Sequence, residues 1–232
     1  MAPSERWLSF TPSKSNESIS IARSSEQMAE IGRLRYALYI ARDKKRYIHV
    51  DHERQSMIEA IDDVSLNFQI IDNNRTLAAV RLTRAADALN DPQLSLLVKS
   101  LKRRNLSNIV VNSRFVALPL PSARRAIAPM FQEVYRAGLA AGAMHCYLAT
   151  RPQLQTIFEK FGFRFEGSVF DDPIAGHMHA LRFDLHDIAY LNEINSPLLP
   201  VVLERFSEAR RISIHDPSAH DAAPPIPESQ RE

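Results

Sequence analysis

Two arginines, Arg124 and Arg125, stand just ahead of a helix and behind a loop that holds Pro119, Pro121 and Ser122. A phosphate placed there would meet two guanidinium groups and the positive end of a helix dipole. A charge pair at a helix start also commonly does no more than face water. The run before the loop, Phe115-Val116-Ala117-Leu118, is strand-like, and its backbone could pair with an extended ligand. His177-Met178-His179 puts two imidazoles on one face of a strand. A metal centre needs further ligands, and none is evident, so structural or substrate-lining histidines and no metal are expected. The single cysteine, Cys146, cannot form an intramolecular disulfide and reads as a buried structural thiol.

These groups act only if the chain holds them in place. Ser18–Ala22 alternates like a strand. Ser24 and Gln27 form a capping box that starts a helix to about Arg42, with Ile31, Leu34 and Leu38 on one face. Residues 43–63 read as a long ordered loop with a helical turn, a length that is usually functional or disordered. Ser65–Ile71 and Leu77–Thr83 flank Asp72-Asn73-Asn74-Arg75 and predict a hairpin. Pro92 opens a helix that carries Leu94, Leu97, Val98 and Leu101 and ends in Lys102-Arg103-Arg104. Ile109–Leu118 is the next strand. Pro119–Ala128 reads as a loop or frayed helix start, with Pro129 in the first turn of a helix that runs to Gly142.

Met144–Ala149 is a strand, and Pro152 starts a helix with Leu154, Ile157, Phe158 and Phe161 turned inward and Gly162 as its stop. Arg164–Phe170 and His177–Leu185 are the last strands, joined through Asp171-Asp172-Pro173, and Asp187–Ile194 is a short helix. This order predicts an α/β (α+β) fold, one domain with a mixed central sheet flanked by helices. Its expected limits are 18–211, between a flexible 1–17 and a disordered, Pro/Ser/Ala-rich 212–232.

Bulk composition narrows the function classes. The 232 residues are 45% hydrophobic and 24% charged, enough for a sizeable core. A net charge of +2 is too weak a bias to indicate nucleic acid. The N-terminus lacks the apolar stretch of a signal peptide, and no apolar run approaches the roughly 20 residues of a membrane span. A cytoplasmic protein without stable membrane insertion is expected.

Residues 107–167 run strand, loop, helix, strand, helix and end in Phe158-Glu159-Lys160-Phe161-Gly162-Phe163. This unit, closed by an aromatic-Gly-aromatic triplet, resembles the core of the GNAT superfamily of acyl-thioester-dependent N-acyltransferases. The loop lacks the Arg/Gln-x-x-Gly-x-Gly/Ala cradle of ordinary acetyl-CoA members. Phe158 stands four residues before Gly162, where many of them have a tyrosine that protonates the leaving thiol. The chain is more similar to the autoinducer synthase and N-acyl amino acid synthase branch, over roughly residues 18–186. The matching residues are Arg35 with Tyr39 one turn later, the spaced acids Glu59 and Asp62 ahead of the hairpin, Arg81 on its second strand, and Ser113-Arg114-Phe115 on the central strand.

The resemblance implies a site. Arg35, Asp62, Arg81 and Arg114 would form its catalytic network, in which arginine can bind a substrate carboxylate and a carboxylate can orient or deprotonate an amine. Tyr39, Glu59, Ser113, Phe115, Val116, Leu118, Arg124 and Arg125 would bind substrate, with backbone N–H groups of 113–118 as oxyanion donors. No tightly bound cofactor is expected. The co-substrate would be an acyl-phosphopantetheine thioester, on acyl carrier protein or, second, on CoA. The amine would come from an amino acid or small amino compound. Lys99, Lys102, Arg103 and Arg104 would dock the acidic carrier protein, although cations also favour any helix C-terminus. Homoserine-lactone synthases carry a glutamate three residues before the strand arginine, where this chain has Val111, and the only tryptophan is Trp7. An N-acyl amino acid or related amide is therefore the expected product. The competing readings are an acetyl-CoA-dependent N-acetyltransferase, an acyl-homoserine-lactone synthase, and a non-catalytic acyl-thioester-binding module.

Overall fold

Alternating apolar residues build the frame of the molecule, and a computed structural model describes it over residues 7–13, 18–101 and 105–204. Strands β1 (Ile19–Ile21), β2 (Leu66–Asp72), β3 (Arg75–Arg84), β4 (Ile109–Ala117), β5 (His145–Thr150), β6 (Arg164–Asp172) and β7 (Gly176–Asp184) form one mixed sheet. Its order is β1-β2-β3-β4-β5-β7-β6. Only β4 and β5 run parallel; the other pairs are antiparallel. The β2–β3 turn places Asn73 and Asn74 at φ of 48° and 61°. Two left-handed residues suit the twist of a tight hairpin, and asparagine tolerates that conformation.

Helices among the described residues include α1 (Ser25–Arg35), α2 (Ala85–Ala88), α3 (Leu94–Ser100), α4 (Pro121–Ala140), α5 (Gln155–Glu159) and α6 (Ile188–Glu193). One face of the sheet, with Val80, Leu82, Val110 and Phe183, packs against α4 and the residues around α6. On the other face Ala79 and Val116 meet α1, while Val111 and Tyr147 meet α2 and α3. Both faces of β2 and β3 are buried, and the polar Asn67, Gln69, Arg81 and Thr83 are buried with the apolar residues they alternate with. Among the described residues, no helix is long and apolar enough to cross a membrane.

The expected capping box is present: Ser24 Oγ accepts from Gln27 N–H, and Gln27 Oε1 accepts from Ser24 N–H. The helix continues to Arg42, but Tyr36–Arg42 is a π-helix. The unforeseen α2 follows β3 directly, and α3 begins at Leu94, two residues beyond Pro92.

The structure departs from expectation in three places. Pro129 lies inside α4, not in its first turn; the helix starts eight residues earlier with Pro121. Pro129 has no N–H to offer the preceding turn. Burial of Ala123 and packing of Ala126 and Ile127 on the core hold the helix across that defect. Leu154 and Ile157 do not face inward; they are 39% and 49% exposed. Pro152–Leu154 is a 3₁₀ turn and α5 is a single short piece, so only Phe158 and Phe161 reach the apolar core. Part of the segment expected to be flexible is also packed: Trp7 belongs to the core, and Ser13 N–H donates to Glu133 at 2.9 Å. The tail at 212–232 and Lys102-Arg103-Arg104 lie outside the described residues.

Candidate active site

Strand β4 decides the site, because it changes both partner and face along its length. It pairs with β5 only from Ile109 to Asn112, whereas its pairing with β3 continues to Ala117. From Ser113 onward the β5-facing edge of β4 therefore has no strand partner. Between Arg81↔Ser113 and Ala79↔Val116 the β3–β4 register shifts by one residue. Arg114 sits in this bulge at φ 53°, a conformation that costs free energy for a non-glycine residue. Without the bulge, alternation would send Ser113 and Arg114 to opposite faces. With it, both join the α1 side: Arg81 Nε donates to Ser113 Oγ at 3.0 Å, and Arg114 Nε donates to Glu59 Oε2 at 2.6 Å.

These contacts belong to one buried ionic network. Arg35 from α1 donates to Asp62 Oδ2 at 2.8 Å and to Asn67 Oδ1 at 2.9 Å. Arg81 from β3 donates to Glu59 Oε2 at 2.9 Å and Asp62 Oδ1 at 3.1 Å. Arg114 Nη2 adds bonds to Glu59 Oε1 and to Gln93 Oε1, each 2.5 Å. A 3₁₀ turn, Ala60–Val64, delivers the two acids, and Glu59 N–H donates to Asp62 Oδ2 at 2.9 Å. Arg35 and Arg81 are completely buried.

Three guanidinium groups thus face two carboxylates, and the cluster keeps one positive charge in excess. Burial alone would push Glu59 up, but its hydrogen bonds to Arg114 and the charges of Arg114, Arg81 and Arg35 hold its carboxyl at about 2. Burial likewise opposes ionisation of Asp62, and Arg35 and Arg81 outweigh it, keeping that carboxyl below the usual range. Burial pushes Arg81 down from its ordinary value. The same burial acts on Arg114, yet its bonds to Glu59 hold it above the ordinary value.

A cavity of about 310 Å³ opens where β4 and β5 separate, at the small end of ligand-site volumes. Ser113–Ala117 line one side and Leu148–Arg151 the other. Phe115, Phe131 and Phe158 form an aromatic wall with ring centroids 5.3–6.5 Å apart. Tyr39 and Tyr47 stand on the α1 side. Tyr39 Oη donates to the Phe115 carbonyl at 3.1 Å, and burial pushes its phenol up to about 12. The Arg114 guanidinium lies 4.5 Å from the Tyr47 ring centroid. Arg42, Lys45 and Arg151 are further lining cations.

The structure brings Arg35, Glu59, Asp62, Arg81, Ser113 and Arg114 together from four distant segments. Only Ser113 and Arg114 of these six line the cavity, with Tyr39, Phe115 and Val116 beside them. Leu118 does not line it, and its N–H donates to Leu77 O at 2.8 Å. Arg124 and Arg125 are exposed in the first turns of α4, outside the cavity wall. Lys99 is exposed on α3. Val111 is fully buried in an apolar cluster, so its position offers no ionisable group.

His179 Nδ1 pairs with Gln155 Oε1 at 2.7 Å and its ring stacks on Phe165; His177 Nδ1 lies 3.1 Å from Asp171. Among the described residues no group of three His, Cys, Asp or Glu could hold a metal. Cys146 is buried, which pushes its thiol up. Sequence reasoning missed Gln93 and Asp172, both of which line the cavity. A glutamine after Asp-Pro and an aspartate before proline look like turn residues, and only the fold shows where their side chains go.

No family model matches the sequence, and no curated protein matches it. Solved structures do match. TofI, in a ternary complex with an inhibitor and MTA, superposes with a TM-score of 0.56 at 18% identity, over 77% of this chain and 95% of that one. BjaI, a CoA-dependent acyl-homoserine lactone synthase solved with MTA, gives 0.57 at 13% identity, over 75% and 84%. FeeM, an N-acyl amino acid synthase from uncultured soil microbes, gives 0.55 at 12% identity, over 73% and 95%. The fold of the chain is the GNAT-like fold these structures share.

Proposed function

We propose that the chain is an N-acyltransferase that moves a medium or long acyl chain from a phosphopantetheine thioester to the amine of an amino acid or small amino compound. The observation that carries this reading is the separation of β4 from β5, with one wall of unpaired strand edge, one of aromatic rings, and Arg114 between them. The free edge of Ser113–Ala117 would pair with the amide groups of pantetheine. Arg124, Arg125 and the start of α4 would hold its phosphate. The acyl tail would lie along Phe115, Phe131, Phe158 and Leu148.

The ammonium first loses one proton to solvent; the neutral amine nitrogen then attacks the thioester carbon, and backbone N–H groups of the bulged segment meet the negative charge that grows on oxygen. Collapse breaks the C–S bond; the sulfur takes up a proton as the nitrogen loses one, leaving an amide and a free thiol. Glu59 and Asp62 hold and orient the three guanidinium groups in this scheme. Their oxygens are already bonded and neither lines the cavity.

Acyl carrier protein is the proposed donor, steered by Lys99 and its basic neighbours in sequence, with CoA second. Val111 in its apolar cluster favours a simple amide over a lactone product. Expression in a bacterial host and mass spectrometry of lipid extracts tests the reading: new N-acyl amides are expected, and Arg114→Ala should lose them. Undiminished product from that variant would remove Arg114 from the site. Carrier-protein binding without turnover against a broad amine panel would instead select a non-catalytic binding module.

A further inference from the structure

At neutral pH an acceptor amine arrives as an ammonium ion, and its capture in a half-buried cavity needs an anion with spare hydrogen-bonding capacity. Glu59 and Asp62 are already committed to arginines and sit behind the wall. The carboxylates that line the cavity are Asp43 and Asp172. Asp43 is paired with Arg42 at 2.7 Å.

Asp172 differs from the other buried acids. Of the four described, Glu59, Asp62 and Glu133 are each ion-paired with arginine, whereas Asp172 is in no ion pair. Its Oδ1 accepts from the N–H groups of Ile174 and Ala175 at 2.8 and 2.7 Å, and its Oδ2 accepts from Gln93 Nε2 at 2.7 Å. A carboxylate has about four acceptor positions, so one on Oδ2 remains. The Gln93 carboxamide cannot turn over: its oxygen is held by Arg114, which only donates, and its nitrogen by Asp172, which only accepts when ionised. Asp172 and Arg114 are thereby fixed one carboxamide apart on the cavity wall.

Resting on the transferase reading above, we infer that Asp172, positioned by Gln93, is the group that receives the acceptor's ammonium. Arg114 lies on the same wall for a carboxylate on that acceptor. Arg114 Nη1 takes no part in the bonds to Glu59 and Gln93. The site would thus match both charges of a zwitterionic α-amino acid.

Asp172 also caps the turn to β7, so the test must separate the two roles. In Asp172→Asn the remaining oxygen can still accept from Ile174 and Ala175. In the double variant Gln93→Glu/Asp172→Asn each hydrogen bond of the group has a counterpart, and the charge moves one side chain away, against Arg114. Binding of the twenty proteinogenic amino acids, ethanolamine and the N-acetylated amino acids is measured by calorimetry on the full chain. The amine that binds the wild type should bind both variants about 30-fold more weakly or worse, and that difference should vanish for the N-acetylated form. Equal affinity in either variant, or no amine binding to the wild type, would overturn the assignment. Thiol release from decanoyl-CoA is followed in parallel. Selective amine binding without transfer would sink the transferase reading and leave Asp172 in place. Transfer by the double variant at an unchanged amine KM would do the reverse.

Discussion

Glu59 holds two arginines at once, and its acidity is where the network can be measured. Its carboxyl, held at about 2 against an ordinary 4.5, is a depressed acid. The stability it contributes is present above pH 4.5 and lost as the pH falls toward 2. Urea unfolding of the wild type should weaken through that window. Glu59→Gln should be less stable at pH 7 by on the order of 3 kcal/mol and should fall less on acidification, so the two curves converge toward pH 2. Asp62, depressed in the same direction, keeps some acid slope in the variant. Parallel curves would show that Glu59 is not charged and paired as described. At this scale the sequence singled out Arg35, Glu59, Asp62, Arg81 and Arg114 as a group, and the fold brings their side chains into one hydrogen-bonded network. It was silent on Asp172 and Gln93, whose importance comes from β6 and α3 converging on one cavity. Nor does the sequence tell that Glu59 and Asp62 lie behind the wall, because that depends on which strand face each arginine takes.

Among the elements, the loop that delivers Glu59 is fastened to α1 at a glycine. Met57 N–H donates to Gly32 O at 3.0 Å, and a Cβ on Gly32 would come within 2.3 Å of Ser56 Oγ and 2.9 Å of Ile58 Cγ1. Gly32→Ala should therefore push residues 56–58 off the helix and cost about 1–3 kcal/mol. Limited proteolysis should cut the variant within 43–58 faster than the wild type, and equal rates would show that the close approach does not position the loop. The hairpin and the capping box were readable because both are local: Asn73-Asn74 supplies two left-handed residues, and Ser24 and Gln27 bond within one turn. The start of α4 was not, because intrinsic preference places proline in a first turn while tertiary burial of Ala123 and its neighbours carried the helix through Pro129. The β4 bulge was equally hidden. No glycine marks it; Arg114 itself takes the left-handed conformation.

For the whole molecule, the charge that matters is its distribution, since the net is only +2. Replacing Lys99, Lys102, Arg103 and Arg104 with glutamate should weaken binding of acyl carrier protein and flatten its salt dependence. Thiol release from decanoyl-CoA should stay unchanged, because CoA needs no protein docking. Unaltered carrier affinity would remove these four residues from carrier docking. The fold class and the succession of strands along the chain were legible from the alternation of apolar runs and turns; the order of those strands within the sheet was not. The separation of β4 from β5 was not, since it depends on where two strands distant in sequence stop pairing. The most direct test of the account is amine-dependent thiol release from acyl carrier protein charged with a decanoyl chain, with the product identified by mass spectrometry. The wild type should form an N-decanoyl amide in step with thiol, and Arg114→Ala should form about 100-fold less or lower still. Thiol release indifferent to added amine, or the same amide yield from both proteins, would contradict it.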